Sequence, residues 1–104
     1  MARGKRWYSD CVRHFLAFYV STMEIGTQPK FKNEAEKTNW VSCHVVVSKL
    51  STHDQELVRE IYGQGDTIAD NIYRMSIAKR MSQGPLWNLV DTLEYEIAGA
   101  RGLI

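Results

Sequence analysis

Between Pro85 and Ala100 the apolar residues Leu86, Leu89, Val90, Leu93 and Ile97 recur at helical spacing, and every charged residue is acidic. A stripe of that period makes a helix with one face that must be buried against another element. The charges are Asp91, Glu94 and Glu96, with no Lys or Arg among them. The segment therefore predicts a packed helix whose outer surface repels phosphate.

Four more segments carry the same period. Ser9 or Asp10 is a good N-cap, and Val12, Phe15, Leu16, Tyr19, Val20 and Met23 follow as one stripe. Gly26 is the expected stop and Gln28-Pro29 a loop. Trp7 and Tyr8, just before the cap, are expected to fold back on the core. Asn33 opens a second helix, with Glu36 three residues on in a capping-box-like arrangement. Trp40, Cys43, Val47 and Leu50 share its inner face. The run Val45-Val46-Val47 is β-branched, but the continuous spacing from Trp40 to Leu50 predicts helix.

Ser51 or Thr52 caps a third helix, with Asp54 and Glu56 in the first turn where the helix dipole favours them. Leu57, Val58, Ile61 and Tyr62 form its buried face, and Gly63 and Gly65 end it. Asp66 is the expected cap of a fourth helix running to about Met81, with Ile68, Ile72, Met75 and the stem of Lys79 along one side. Ser82-Gln83-Gly84-Pro85 reads as a tight turn with Pro85 at the first helical position. Gly99 and Gly102 end the fifth helix. The expected fold is all-α, a compact bundle of about five helices.

A chain of 104 residues can bury one core without staples. Hydrophobic content of 44% and charged content of 24% predict an ordered globular domain. No apolar run nears the ~20 residues that span a bilayer. No apolar segment follows the basic start Met1–Arg6, so no secretory signal is expected and the cytoplasm is the expected location. Cys11 and Cys43 make no disulfide framework and are expected to be reduced and buried. Cys11 with His14, and Cys43 with His44, invite a zinc hypothesis. Neighbouring helical residues diverge by ~100°, however, and the spacing is not that of paired knuckles. Neither metal nor cofactor is expected. The sequence carries no Gly-rich phosphate loop, nucleophile elbow or paired-carboxylate signature, and the expectation is that the chain is not an enzyme.

Net charge of +1 hides an asymmetry. Residues 1–49 carry eight basic and four acidic side chains, a balance of +4, while residues 50–104 carry five and eight, a balance of −3. The field of the molecule is therefore polar.

The segment Leu50-Ser51-Thr52-His53-Asp54-Gln55-Glu56-Leu57-Val58-Arg59-Glu60-Ile61-Tyr62 resembles the opening of region 4 of sigma-70-type factors. There a Leu-Ser pair precedes an acidic first turn, paired aliphatics and an aromatic. Further along, Met75-Ser76 falls where that family has Ile-Ala, Ser82 on the cap of the recognition helix, and Leu86, Val90, Leu93 and Ile97 on its buried positions. The whole chain also looks like small proteins of this kind from prophages and mobile elements of Firmicutes. Arg80 stands where the family's turn usually has Gly, and the recognition helix lacks cations. The resemblance implies one domain over 1–104. Its N-terminal helical pair (1–49) braces a helix-turn-helix-like part (50–104) that binds duplex DNA and acts in transcription regulation.

Two sets of contact residues follow. For nucleic acid, Gln83 and Asn88 fall at reading positions and suit adenine, while Arg3, Lys5, Arg6 and Arg13 supply phosphate contacts. The alternative is a protein-binding module that docks on a host polymerase or defence complex. It would use the acidic, aromatic face of the last helix, with Trp87, Asp91, Glu94 and Tyr95. A helical wheel points Asn88, Asp91 and Tyr95 outward and sets Trp87 and Glu94 on the flank. A homodimer would suit the DNA reading, because helix-turn-helix proteins often bind as dimers.

Overall fold

The computed structural model describes residues 6–23, 29–63 and 67–104. Within them the chain forms α1 (Ser9–Met23), α2 (Glu34–Val47), α3 (Thr52–Gly63), α4 (Ile68–Ala78) and α5 (Gly84–Arg101), with no strand. The expected all-α class is what is found. The expected features at Gly26, Gln28, Gly65 and Asp66 lie outside the described residues.

Local chemistry accounts for most helix starts. Asn33 Oδ1 accepts from the Glu36 amide at 2.9 Å, and Glu36 Oε1 reaches back to the Lys32 amide at 3.0 Å. The start of α2 and the chain entering it are thus fixed together. Ser51 Oγ accepts from the Asp54 amide at 3.1 Å at the start of α3. Thr67, rather than the expected Asp66, caps α4, its hydroxyl accepting from the Asp70 amide at 3.1 Å. Gln83, rather than Ser82, holds the cap position of α5, and its side chain makes no capping bond. Pro85 stands in the first turn of that helix, as expected, where its missing N–H costs nothing.

The helix ends are more uniform than the sequence implied. α4 stops at Ala78, about one turn before the expected Met81. Arg80 adopts φ +52°, its amide bonding Ile77 O at 3.3 Å, while the Met81 amide bonds Ser76 O at 3.0 Å. That pair of bonds is a Schellman motif. α5 closes in the same way. Gly102 stands at φ +85°, its amide bonds Gly99 O at 3.1 Å, and the Leu103 amide bonds Ala98 O at 2.8 Å. Gly99, one of the expected stops, is inside the helix. Met81 and Leu103, the residues after each left-handed position, both pack on the core.

The core is one cluster to which all five helices contribute, with Leu16, Val47, Ile61, Ile72 and Val90 among its members. α5 packs chiefly on α2 and also on α1; α1 packs on α2 and α3, and α3 on α4. Close approach of α1 and α3 depends on Gly63, where a Cβ would sit 3.0 Å from Val20 Cγ1. Tyr8 folds into this core as expected, whereas Trp7 does not and stays exposed. Lys79 is exposed too, with its ammonium 3.0 Å from Glu60.

Because a left-handed arginine costs about 1–2 kcal/mol that glycine avoids, and glycine gives part of that back as unfolded-chain entropy, Arg80→Gly is expected to stabilise the protein. The gain is about 0.5–1 kcal/mol in urea unfolding followed by circular dichroism. Arg80→Val is expected to destabilise it, because a β-branched residue tolerates that conformation worst.

Candidate functional site

Glu94 lies 3% exposed in the interior, not on the watery flank that the helical wheel assigned to it. Its Oε2 accepts from Arg13 Nε at 2.8 Å and from the Tyr62 hydroxyl at 2.8 Å. One carboxylate thus ties α5 to α1 and α3. A buried charge is tolerated only when paired and hydrogen-bonded in this manner. The Tyr62 hydroxyl is pushed well above its ordinary pKa. Burial is the main cause, followed by the charge of Glu94 and the hydrogen bond to it, while Arg13 pulls the other way.

This cluster engages one residue of each expected contact set. Glu94 is unavailable to a protein partner. Arg13, expected to contact phosphate, directs its Nε inward and leaves its side chain only 27% exposed. Arg3 and Lys5 lie outside the described residues. Gln83, Asn88, Asp91 and Tyr95 are exposed along α5, and Trp87 is half-buried with Nε1 donating to Gln83 Oε1 at 3.3 Å. Cys11 is exposed, against the expectation of burial, while Cys43 is buried and its thiol is raised by that burial from 9.0 to about 12. His44 stacks on Trp40 at 4.9 Å and shares a 3.0 Å hydrogen bond with the Tyr19 hydroxyl. Among the described residues no three His, Cys, Asp or Glu side chains are placed to hold a metal ion.

Arg6, Asp91 and Tyr95 do come together. They line a groove of about 1350 Å3 between the residues preceding α1, the end of α2 and the outer face of α5. Its apolar lining includes Trp7 (73% exposed), Tyr95 (61%), Ile104 (51%) and Val45 (44%). Seven large apolar side chains are exposed among the described residues, and these are four of them. Scattered singly they would need no explanation; here they are gathered along one groove. Arg6 and Lys49 add cations from the α1 and α2 side, and Asp91 and Glu96 add anions from α5.

Helical repeats set this lining. Val45 and Lys49 are four residues apart at the end of α2, and Asp91, Tyr95 and Gly99 follow the same interval along α5. Trp7 is held at the rim by an edge-on contact with Tyr8, ring centres 5.6 Å apart. The sequence reading missed Trp7, Val45, Lys49, Glu96 and Ile104. One signal was present: Val45 lies about 200° round the helix from Val47, so the three valines could not all face inward.

Compared with known proteins, the chain matches no family model, no curated protein and no solved structure. Among the described residues no helix is long and apolar enough to cross a membrane.

Two outcomes are expected of the buried cluster. Arg13→Ala should cost about 2–4 kcal/mol in urea unfolding, somewhat less than a fully enclosed pair because Arg13 is partly solvated. A loss under about 0.5 kcal/mol, the scale of a surface pair, would count against the cluster's structural role. For the neutral acids Cys43 and Tyr62 the folded pKa lies above the unfolded one. Their contribution is complete below the unfolded value and is lost as pH rises through the folded value. Stability should hold from neutral pH to about 9 and then fall towards the raised Cys43 value of about 12. Cys43→Ala should flatten the first part of that fall in a series of melts.

Proposed function

We propose that this chain is a protein-binding module without catalytic chemistry of its own, and that the groove beside α5 is where its partner docks. The observation that carries this reading is the gathering of Trp7, Val45, Tyr95 and Ile104 in one solvent-open trough. Aromatic side chains with a polar surround are what binding hot spots are made of. The trough is broader than an enclosed site for one small molecule, and charges of both signs at its rim suit a polypeptide with mixed charges. Asp91 and Tyr95 serve here in the role the sequence suggested for them, joined by Trp7, which the sequence placed in the core.

The DNA reading stands second. Gln83 and Asn88 are exposed at the N-terminal end of α5, just after the turn at Arg80. Phosphate contacts normally carry the affinity for a duplex. Here Arg13 is engaged with Glu94, and Arg101 Nε donates to Asn39 Oδ1 at 2.6 Å. With those cations turned to other groups, duplex binding is expected to be no tighter than the nonspecific range of roughly 10−4 to 10−6 M. A low-salt fluorescence titration with mixed-sequence duplex that gave steep, much tighter binding would reverse the ranking.

A photo-reactive phenylalanine analogue placed at Tyr95 tests the main reading inside cells that make the protein. An ultraviolet-dependent protein adduct is expected at that position. None is expected at the control position Tyr73, which is also exposed but sits on α4, outside the groove. Absence of any adduct at Tyr95, or equal labelling at both positions, would overturn the proposal.

A further inference from the structure

We infer that the partner in the groove is a second copy of this chain, related to the first by a two-fold axis running along the groove; this rests on reading the groove as a protein interface. The argument is one of charge and symmetry. Cations at the rim come from the residue before the first helical turn and from the end of α2 (Arg6 and Lys49), while the anions come from α5, where Asp91 already has a partner within the chain and Glu96 is the charge offered to a second copy. The groove therefore has one wall of each sign. A two-fold axis parallel to the groove turns a second copy to face the first and sets its acidic wall against the first copy's cationic wall, twice over. An axis across the groove would set like charges against each other, which is costly at an interface.

The apolar side chains fit the same arrangement. Trp7 and Val45, on the cationic side of the groove, would meet Tyr95 and Ile104 of the second copy and the reverse, the reciprocal contacts that an isologous interface requires. Net charge supports it as well. At +1 the chain has little long-range repulsion against itself.

Sedimentation equilibrium of the full chain over a wide concentration range, with circular dichroism as the folding control, is the test. Wild-type protein is expected to dimerise. Trp7→Ala combined with Tyr95→Ala, both at well-exposed positions, should abolish the dimer without loss of helix. Lys49→Glu alone and Glu96→Lys alone should each weaken it roughly tenfold, since each puts two like-charge contacts in the symmetric pair. Mixing these two variants should restore the mixed dimer to within about threefold of wild type, because in that pair every cation again faces an anion. Wild-type protein that stays monomeric up to roughly 500 µM, weaker than any stable interface, would overturn the inference. So would a dimer indifferent to all these substitutions, or single variants that weaken the dimer without rescue on mixing. A monomer that still gives a Tyr95 adduct with a different protein would leave the interface reading standing and remove only the second copy. A monomer with no adduct would remove both.

Discussion

One buried carboxylate sets the relation of three helices. Glu94 accepts from Arg13 of α1 and Tyr62 of α3 while its own helix packs chiefly on α2. Apolar stripes alone would hold these helices together but would not choose their rotation, because one aliphatic face packs tolerably at several angles. A charge in the interior has far fewer satisfactory positions, since it is stable only where its partners are within hydrogen-bond reach. Fixing α5 by rotation about its axis also fixes what α5 presents outward. Asp91, Thr92, Tyr95 and Glu96 face the groove in the same arrangement that turns Leu93, Glu94 and Ile97 inward.

Much of this architecture was legible from local patterns. The stripe Leu86–Val90–Leu93–Ile97 is fully buried, as its spacing requires, and Asn33 and Ser51 act as the caps their chemistry suggests. The β-branched run at Val45–Val47 is helical because the surrounding period places Val46 and Val47 on the core, and tertiary packing outweighs the propensity of three valines. Glu94 was misread for a definite reason. It lies about 70° from the centre of the apolar stripe, near the boundary where a helical wheel is indifferent. What decides its burial is the presence of Arg13 and Tyr62, residues remote in the chain, and no property of the fifth helix by itself carries that information.

The groove was harder to read for the same reason. Asp91 and Tyr95 were correctly placed outward from the wheel, but the wall opposite them comes from Trp7, Val45 and Lys49, on segments far away in sequence. Trp7 was the most misleading residue, because a tryptophan next to a helix start is usually mostly buried, and here Tyr8 takes the inward position instead. The turn before α5 shows the converse. Arg80 is not a glycine, yet the backbone there is left-handed all the same. The helix ending that the position serves is closed by bonds to the Ile77 and Ser76 carbonyls, whatever side chain stands there.

These placements bear directly on how the two functional readings rank. A helix that reads DNA must protrude, because its outer face enters a major groove about 12 Å wide and reaches the floor with its side chains. Along Asp91, Tyr95 and Gly99 the outer face of α5 is instead the side of a trough, flanked by Trp7 and by the end of α2. A polypeptide segment or a second subunit can enter the trough and cover its apolar lining, which a rigid duplex fits less well. Only the first turns of α5, with Gln83 and Asn88, lie beyond the trough. Two amides supply discrimination between bases, while the affinity that must come first would fall to Lys79 and Arg80, exposed in the turn before α5. The concavity of this face is what favours the proposed protein reading over the duplex reading.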